Sequence, residues 1–229
     1  MKRNFLLTLL SFVMCFSVVS VSSASSNGVE AEDSKTSRIP ISLELQKKMQ
    51  SGNNVIIISN REELEQIAIE EGLEEVPVRI EYEYVPYSET QSEPPNWVSP
   101  LADDTTVTSW SEGHGHYDPN KDLFTGFIID GPDDFLIEET TKKTSTYSGS
   151  FGASKGIIEA SVGFTIGKER TMRWASQTLI PRGETIKFEL FTTYHKVNYA
   201  VITPQKSYRG IAYDPTGVYI KKTAYATPK

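Results

Sequence analysis

The residues best suited to metal chemistry lie in one glycine-rich stretch of the chain. His114 and His116 flank Gly115, and Glu112 and Asp118 lie on either side of this trio. Two imidazoles and a carboxylate are ligands that Zn²⁺ and related divalent metals accept, and the glycine gives the backbone freedom to bring them together. The sequence therefore offers a metal site of His114, His116 and Asp118, which would suit a metal-dependent extracellular hydrolase.

A simpler interpretation of the same stretch is a glycine-rich surface loop. A local His-x-His pair supplies at most two ligands, and the remaining histidine, His195, lies in a distant strand pattern. Asp118, Asn120 and Asp122 repeat the spacing of a calcium loop, but Leu123 stands where such a loop needs glycine. Solvated histidines and an Asp-containing turn are favoured, and no cofactor is expected, with a divalent metal as the alternative.

Other catalytic arrangements are weaker still. A serine nucleophile would need an activating base, and His195 lies within an ordinary strand pattern. Glu138 and Glu139 would serve glycoside hydrolysis only with a facing acid at a defined separation. The sequence therefore favours a protein that is not an enzyme.

The first 24 residues have the composition of a secretory signal. Lys2 and Arg3 precede an apolar run, and small residues follow at 22–24. Cleavage at 24 would remove Cys15, the only cysteine, so the mature protein would have neither a disulfide nor a thiol nucleophile. We expect a secreted, extracellular protein whose stability depends on its packed core.

The net charge limits the class of partner. Loss of Lys2 and Arg3 with the signal changes the formal charge from −7 to −9. Such acidity argues against nucleic-acid binding, because the phosphate backbone attracts basic surfaces. We expect a protein, a glycan or another cell-surface ligand as partner, and a membrane only if the protein forms pores.

Composition and hydrophobic periodicity divide the rest of the chain into four parts. Residues 25–38 are polar and predicted to be flexible, and residues 39–86 read as a small α/β unit. Residues 87–100 are a proline-rich linker, and residues 101–229 an antiparallel β domain. The predicted fold is mainly β, either an antiparallel sandwich or an elongated twisted sheet, with the small α/β unit at its amino terminus.

Within the α/β unit, the pattern predicts helix, strand, helix, strand. Ile41, Leu45 and Met49 repeat at helical spacing. After a β-branched strand at 55–58, the polar residues from Ser59 to Glu62 predict a second helix that Gly72 ends. Residues 76–85 alternate as a strand, which we expect to pair in parallel with the first strand through the helix between them.

The β domain is predicted from period-two alternation of apolar residues. The predicted strands are 105–110, 123–130, 135–151, 157–166, 171–180 and 185–202, followed by a hairpin of 208–213 and 218–225 that turns through 214–217. The clearest is 157–166, where every second residue is apolar. The residues from 112 to 122 are predicted to form a loop. In the long strand the apolar parity changes near His195, which predicts a bulge or a change of buried face there.

Residues 140–166 carry the strongest indication of function. A Ser/Thr-rich arm, a glycine-rich turn and the alternating segment predict an amphipathic hairpin, with arms near the ~10 residues that a tilted membrane strand needs. This segment resembles the insertion hairpin of aerolysin-type β-pore-forming proteins. Gly163-Phe164-Thr165 and Ile180-Pro181-Arg182-Gly183 are similar to uncharacterised secreted proteins of Gram-positive bacteria. Both resemblances cover about residues 130–203, and the first implies membrane insertion.

The same alternation occurs in soluble β-sandwiches, whose strands bury one face. The leading hypothesis is therefore a secreted, non-enzymatic β-rich protein that binds a partner. The pore-forming protein is the alternative, and the metal-dependent hydrolase is the third possibility. Trp97, Trp110 and Trp174, with the many tyrosines, suit either a receptor or carbohydrate platform or the packed core.

Overall fold

The computed structural model describes residues 38–50, 54–87, 105–149 and 152–227. The predicted signal, nearly all of the predicted flexible segment and nearly all of the predicted linker lie outside these residues. In chain order the elements are β1 (Ile39–Pro40), α1 (Leu43–Gln50), β2 (Val55–Ile58), α2 (Arg61–Glu71), β3 (Arg79–Pro86), β4 (Thr106–Tyr117), β5 (Leu123–Asp130), β6 (Asp133–Thr144), β7 (Thr146–Tyr147), α3 (Lys155–Val162), β8 (Glu169–Ile180), β9 (Glu184–Ile202) and β10 (Ser207–Ala226).

The mainly β, antiparallel fold class is confirmed. One sheet has eight strands, with β1, β4, β9, β10, β3 and β2 in that order, β5 also paired with β9, and β7 with β10. Its centre is the pair β9 and β10, 19 and 20 residues long, which are hydrogen-bonded along their whole length. A second sheet contains only β6 and β8. The long central pair is the frame on which every other element packs.

The strands of residues 39–86 belong to the same eight-stranded sheet as β4, β9 and β10. β2 pairs with β3 in antiparallel fashion, so the predicted parallel pairing is wrong. The cause is the path of the chain between the two strands, because Ile58, at the end of β2, pairs with Ile80, near the start of β3. The residues between α2 and β3 therefore bring the chain back to the same end of the sheet. β3 then pairs with β10 over eight residues, which gives this small segment the core it lacks by itself.

The two predicted helices of this segment are confirmed. Ile41 and Leu45 are buried. At the start of α2 the cap is Asn60 rather than Ser59, because the Asn60 side chain accepts hydrogen bonds from the backbone N–H groups of Glu62 and Glu63. Gly72 ends the helix with a φ of 66°, a conformation that glycine adopts without strain.

The predicted strand at 157–166 is wrong: residues 155–162 form α3. Ile158 and Val162 are its buried residues. A separation of four is both two strand repeats and about one helical turn, so these positions satisfy either pattern. Gly163, with a φ of 85°, ends the helix and favours it over a strand, whereas the Ser154 side chain makes no capping hydrogen bond at its start. The predicted hairpin at 140–166 is consequently not formed.

Two other local predictions are corrected by long-range pairing. β4 continues to Tyr117, so much of the predicted loop at 112–122 is strand. The predicted turn at 214–217 is a bulge inside β10, where the register with β9 shifts between Pro215 and Gly217. A bulge accommodates a proline that a regular ladder would exclude. The pairing with β9 thus outweighs the local turn signal.

The core changes sides along β9, as predicted near His195. Ile186, Phe188 and Leu190 belong to one buried cluster, whereas Val197 and Tyr199 belong to another. Even- and odd-numbered side chains of a strand point to opposite faces. The first cluster lies under β6 and β8, and the second under α3. A third cluster packs α1, β2 and β3 against Phe191 and Tyr219.

Candidate functional site

The three histidines of the chain gather beside the central strands. The rings of His114 and His195 stack with centroids 4.4 Å apart. Ser111 Oγ lies 2.7 Å from His195 Nε2. Two register shifts in β4 place His114 against β9. The strand that carries His195 therefore brings it next to His114, as a metal site would require. The two imidazole rings, however, stack on each other.

His116 and Asp118 are buried and engaged elsewhere. His116 Nε2 is 4.0 Å from Glu112 Oε2, and the same carboxylate oxygen is 2.7 Å from Lys196 Nζ. Asp118 Oδ1 accepts a hydrogen bond from the backbone N–H of Asn120, which is the turn-forming role. In the part of the chain that the structure describes, no three His, Cys, Asp or Glu residues are arranged to hold a metal. The set His114, His116 and Asp118 stays a prediction to which this arrangement gives no support.

Burial makes the histidine cluster resist protonation. Burial, together with the neighbouring His114 and His116, lowers the pKa of His195 to about 4. Burial also lowers the pKa of His114 and of His116, and for His116 the Lys196 ammonium adds to the effect. The cluster is therefore neutral at pH 7, and acid would place several positive charges in a small volume.

Asp122, one of the residues with the spacing of a calcium loop, forms an ion pair with Arg38. Arg38 Nε and Nη2 lie 2.7 and 3.1 Å from the two oxygens of its carboxylate. The guanidinium also lies 4.0 and 4.3 Å from the ring centroids of Tyr194 and Tyr213. The Arg38 guanidinium thus forms a bidentate ion pair and two cation–π contacts. It fixes the beginning of the described chain against β9 and β10.

A cleft of about 590 Å³ lies next to the histidines. Tyr84, His114, Arg170 and Asp214 are among the lining residues. Arg170 Nε and Nη2 bind the Asp214 carboxylate at 2.8 and 2.9 Å, and Ser145 Oγ donates to the same carboxylate at 3.1 Å. The cleft thus combines an aromatic wall with a fixed ion pair, as ligand-binding clefts often do.

The second candidate site is the two-stranded sheet, which we call the ribbon: Asp133–Thr144 (β6) with Glu169–Ile180 (β8). Each strand has 12 residues. Its inner face carries mostly apolar and hydroxyl side chains together with three charged ones: Phe135, Ile137, Glu139, Thr141 and Lys143 of β6 and Arg170, Met172, Trp174, Ser176, Thr178 and Ile180 of β8. Its outer face is mainly polar and exposed. The alternation is strict in β8, where every second residue is buried.

The ribbon is attached to the rest of the molecule through side chains. Among the described strands, β6 and β8 pair only with each other, from Asp133 with Ile180 to Thr144 with Glu169. Their inner face packs on Phe188 and other residues of the first core cluster. Two polar contacts add to this packing: Ser176 Oγ donates to Glu83 Oε2 at 2.8 Å, and Arg170 of β8 forms its ion pair with Asp214 of β10. The ribbon can therefore separate from the large sheet without breaking a β-ladder hydrogen bond.

Both buried ion pairs escape sequence reasoning because their partners are far apart in the chain. Arg38 and Asp122 are separated by 84 positions, and Arg170 and Asp214 by 44. Arg38 even lies in the segment predicted to be flexible. The alternation of 171–180 predicts one arm of the ribbon, but it predicts no partner for that arm, and the residues of the other arm are predicted to pair with 157–166. Trp174 is buried in the core and Trp110 is 45% exposed, while Trp97 lies outside the described residues.

No protein-family model matches the sequence, and no curated protein matches it. Among the described residues, no helix has the length and apolar character needed to cross a bilayer. The geometry of the ribbon and the clefts is consequently the basis for the functional argument.

Proposed function

We propose that the protein is an exported, non-catalytic protein that binds a cell surface and inserts the ribbon into the membrane as part of an oligomeric β-pore. The observation that supports this function is the ribbon itself, a pair of long amphipathic strands held to the sheet by side chains alone. The proposal keeps the resemblance to aerolysin-type proteins. The inserting segment is the ribbon in place of residues 140–166.

The length of the ribbon suits a membrane. A tilted membrane-crossing strand needs about 9–11 residues. β6 and β8 have 12 each, and they are already paired in antiparallel register. In a barrel of several copies the apolar inner face would contact lipid and the polar outer face would line water. Pairing between ribbons of adjacent copies would satisfy the free edges of each ribbon.

Release of the ribbon has a cost that explains why the protein is stable in water before it meets a membrane. Ile137, Met172, Trp174 and Ile180 are all at most 5% exposed on the inner face. Release also breaks the ion pair between Arg170 of the ribbon and Asp214 of β10. Exposure of the four apolar side chains to water would cost roughly 6–12 kcal/mol at 1.5–3 kcal/mol per large side chain. A lipid environment removes most of this cost, because the side chains pass from one apolar surrounding to another. Insertion is therefore expected only at a membrane surface.

A reversible cross-link tests whether the ribbon must leave the sheet. Ser176 of the ribbon and Glu83 of β3 are in contact. In the variant with Ser176→Cys and Glu83→Cys, a methanethiosulfonate cross-linker joins the ribbon to the sheet and a reductant releases it. We expect the cross-linked protein to release no dye from vesicles and the reduced protein to regain full release.

The matched control is a cross-link inside the ribbon. Gln177 Nε2 donates to Asp134 Oδ1 at 2.9 Å across the strand pair. Joining Asp134→Cys to Gln177→Cys leaves the ribbon free to move as a unit, so dye release should be retained. Equal release by both cross-linked proteins would contradict the proposal.

A second candidate is a soluble binding protein whose ribbon stays on the sheet. The cleft of about 590 Å³ favours it, because its size and lining suit a small ligand. Absence of dye release and of oligomers with every lipid composition, together with saturable binding of a soluble ligand that Tyr84→Ala weakens, would establish this function in place of the first.

A further inference from the structure

A separate pocket on the face opposite the ribbon is lined by aromatic rings and charged groups. We call it the tyrosine pocket, and its volume is about 400 Å³. Two cross-strand pairs form its floor, Phe191 with Tyr219 and Glu189 with Lys221. Tyr117, at the end of β4, supplies a wall. These five residues come from three neighbouring strands of the large sheet.

The rings are set at angles to one another. Tyr117 lies with its centroid 5.2 Å from that of Phe191 and 5.0 Å from that of Tyr219, at interplanar angles of 55° and 46°. Tyr82 stacks behind Tyr219 at 5.8 Å and 12°. Phe191 and Tyr219 are each 6% exposed and Tyr117 is half-buried, so the pocket offers a cation the accessible parts of these rings, which suits a quaternary ammonium group.

The charges around the pocket have both signs. Glu71 and Glu189 contribute carboxylates, and Lys221 contributes an ammonium. Glu71 is ion-paired with Lys221, and Glu189 Oε1 lies 2.8 Å from Lys187 Nζ. The lining has a formal charge of −1 from these three residues. A zwitterionic ligand matches this pattern, with its cation near the rings and carboxylates and its anion near Lys221.

An apolar rim completes the pocket. Ile39 and Leu123 line it and are 48% and 43% exposed. Exposed apolar side chains beside a polar pocket suit contact with the glycerol and acyl region below a lipid headgroup. The combination of rings, mixed charge and apolar rim distinguishes this pocket from the cleft near the histidines.

We propose that the tyrosine pocket binds a phosphocholine group. The trimethylammonium would contact the rings of Tyr117 and Tyr219 near Glu189, and the phosphate would pair with Lys221. A trimethylammonium has no N–H group, so an aromatic wall leaves none of its hydrogen bonds unsatisfied. A primary ammonium would lose hydrogen bonds to water there. The pocket therefore selects phosphocholine over phosphoethanolamine.

Calorimetric titration of the full exported chain tests this site without reference to dye release. We expect phosphocholine to bind at least about tenfold more tightly than phosphoethanolamine. Tyr117→Phe should retain binding because it keeps the ring face, and Tyr117→Leu should weaken binding about tenfold. Glu189→Gln, a milder change to a partly exposed side chain, should weaken it several-fold. Glu62→Gln, at the far end of α2 from Glu71, is the matched control and should change nothing.

Vesicles distinguish the sources of the ligand. If phosphatidylcholine vesicles capture the protein and free phosphocholine competes, the ligand is a lipid headgroup. If free phosphocholine binds and vesicles do not capture the protein, the source is a soluble or glycan-linked choline, and the site itself still stands. Equal affinity for phosphoethanolamine, or wild-type affinity in both Tyr117→Leu and Glu189→Gln, would overturn the assignment. The absence of any heat with phosphocholine at millimolar concentration would also overturn it.

Discussion

Two buried arginines fasten peripheral segments to the central strands. Arg38 binds Asp122, and Arg170 binds Asp214, each through two hydrogen bonds. The four residues are at most 8% exposed. A buried bidentate pair adds little to stability when compared with apolar residues, but the loss of one partner leaves an uncompensated charge in the interior. These pairs therefore specify how the segments dock.

The Arg170 pair gives the first prediction. Arg170→Met should lower the free energy of unfolding by about 3–5 kcal/mol, because Asp214 stays buried without its ion pair. Arg61→Met removes an exposed pair with Glu65 on α2 and should change stability by less than about 1 kcal/mol. Urea unfolding of both variants measures the difference. Equal losses would mean that the Arg170 pair is screened by solvent.

The histidine cluster gives a prediction about acid. His195 has a pKa of about 4 in the folded protein, mainly because of burial, against about 6.5 in an unfolded chain. Between these values the unfolded chain binds the additional proton. The contribution of His195, at most about 3 kcal/mol, is therefore complete above pH 6.5 and lost as the pH falls towards 4.

Comparison with His195→Gln isolates this contribution from that of the carboxylates. We expect the melting temperature of the wild type to fall more steeply than that of the variant between pH 6.5 and 4. His195 contacts Ser111, His114 and Phe164, and all three are unchanged in the variant. Parallel curves would show that His195 is protonated as readily in the folded protein as in the unfolded chain.

At the scale of elements, the sequence predicts strands more reliably than their partners. Residues 123–130 and 171–180 are strands as predicted, because alternation over eight or more residues reports one buried face. It does not report which strand lies alongside. The prediction for residues 157–166 fails because their apolar spacing fits both periods, and the signal for a helix, Gly163, lies at its end.

The ribbon carries one charged residue within the apolar part of its inner face. Glu139 lies opposite Trp174 in the register of β6 and β8. A carboxylate is costly in hydrocarbon. Glu139→Gln should therefore increase the rate of dye release several-fold at neutral pH.

Glu138→Gln is the control for this change, because the adjacent residue points to the outer, aqueous face. It removes the same charge and should leave the rate of dye release unaltered. Stopped-flow fluorescence of dye-loaded vesicles gives both rates. An equal acceleration in the two variants would point to net charge as the cause and would speak against lipid contact by the inner face.

For the whole molecule, the composition and the absence of a cysteine after residue 15 predict a β-rich protein with a packed core, and the β-rich fold is confirmed. The common sheet of residues 39–86 and the later strands was not predictable, since it depends on the pairing of β3 with β10. The same holds for the tyrosine pocket, whose residues 117, 189, 191, 219 and 221 meet only after β4, β9 and β10 are aligned.

The most direct test of ribbon insertion is a fluorescence scan along β6. The predicted mature chain has no cysteine, so single cysteines at residues 135–143 can be labelled with an environment-sensitive dye. With membranes present, labels at 135, 137 and 141 should shift to the blue and be quenched by lipid-borne quenchers, while labels at 136, 138, 140 and 142 should stay in water. Spectra that do not change on addition of membranes, or that change without this alternation, would contradict insertion of the ribbon.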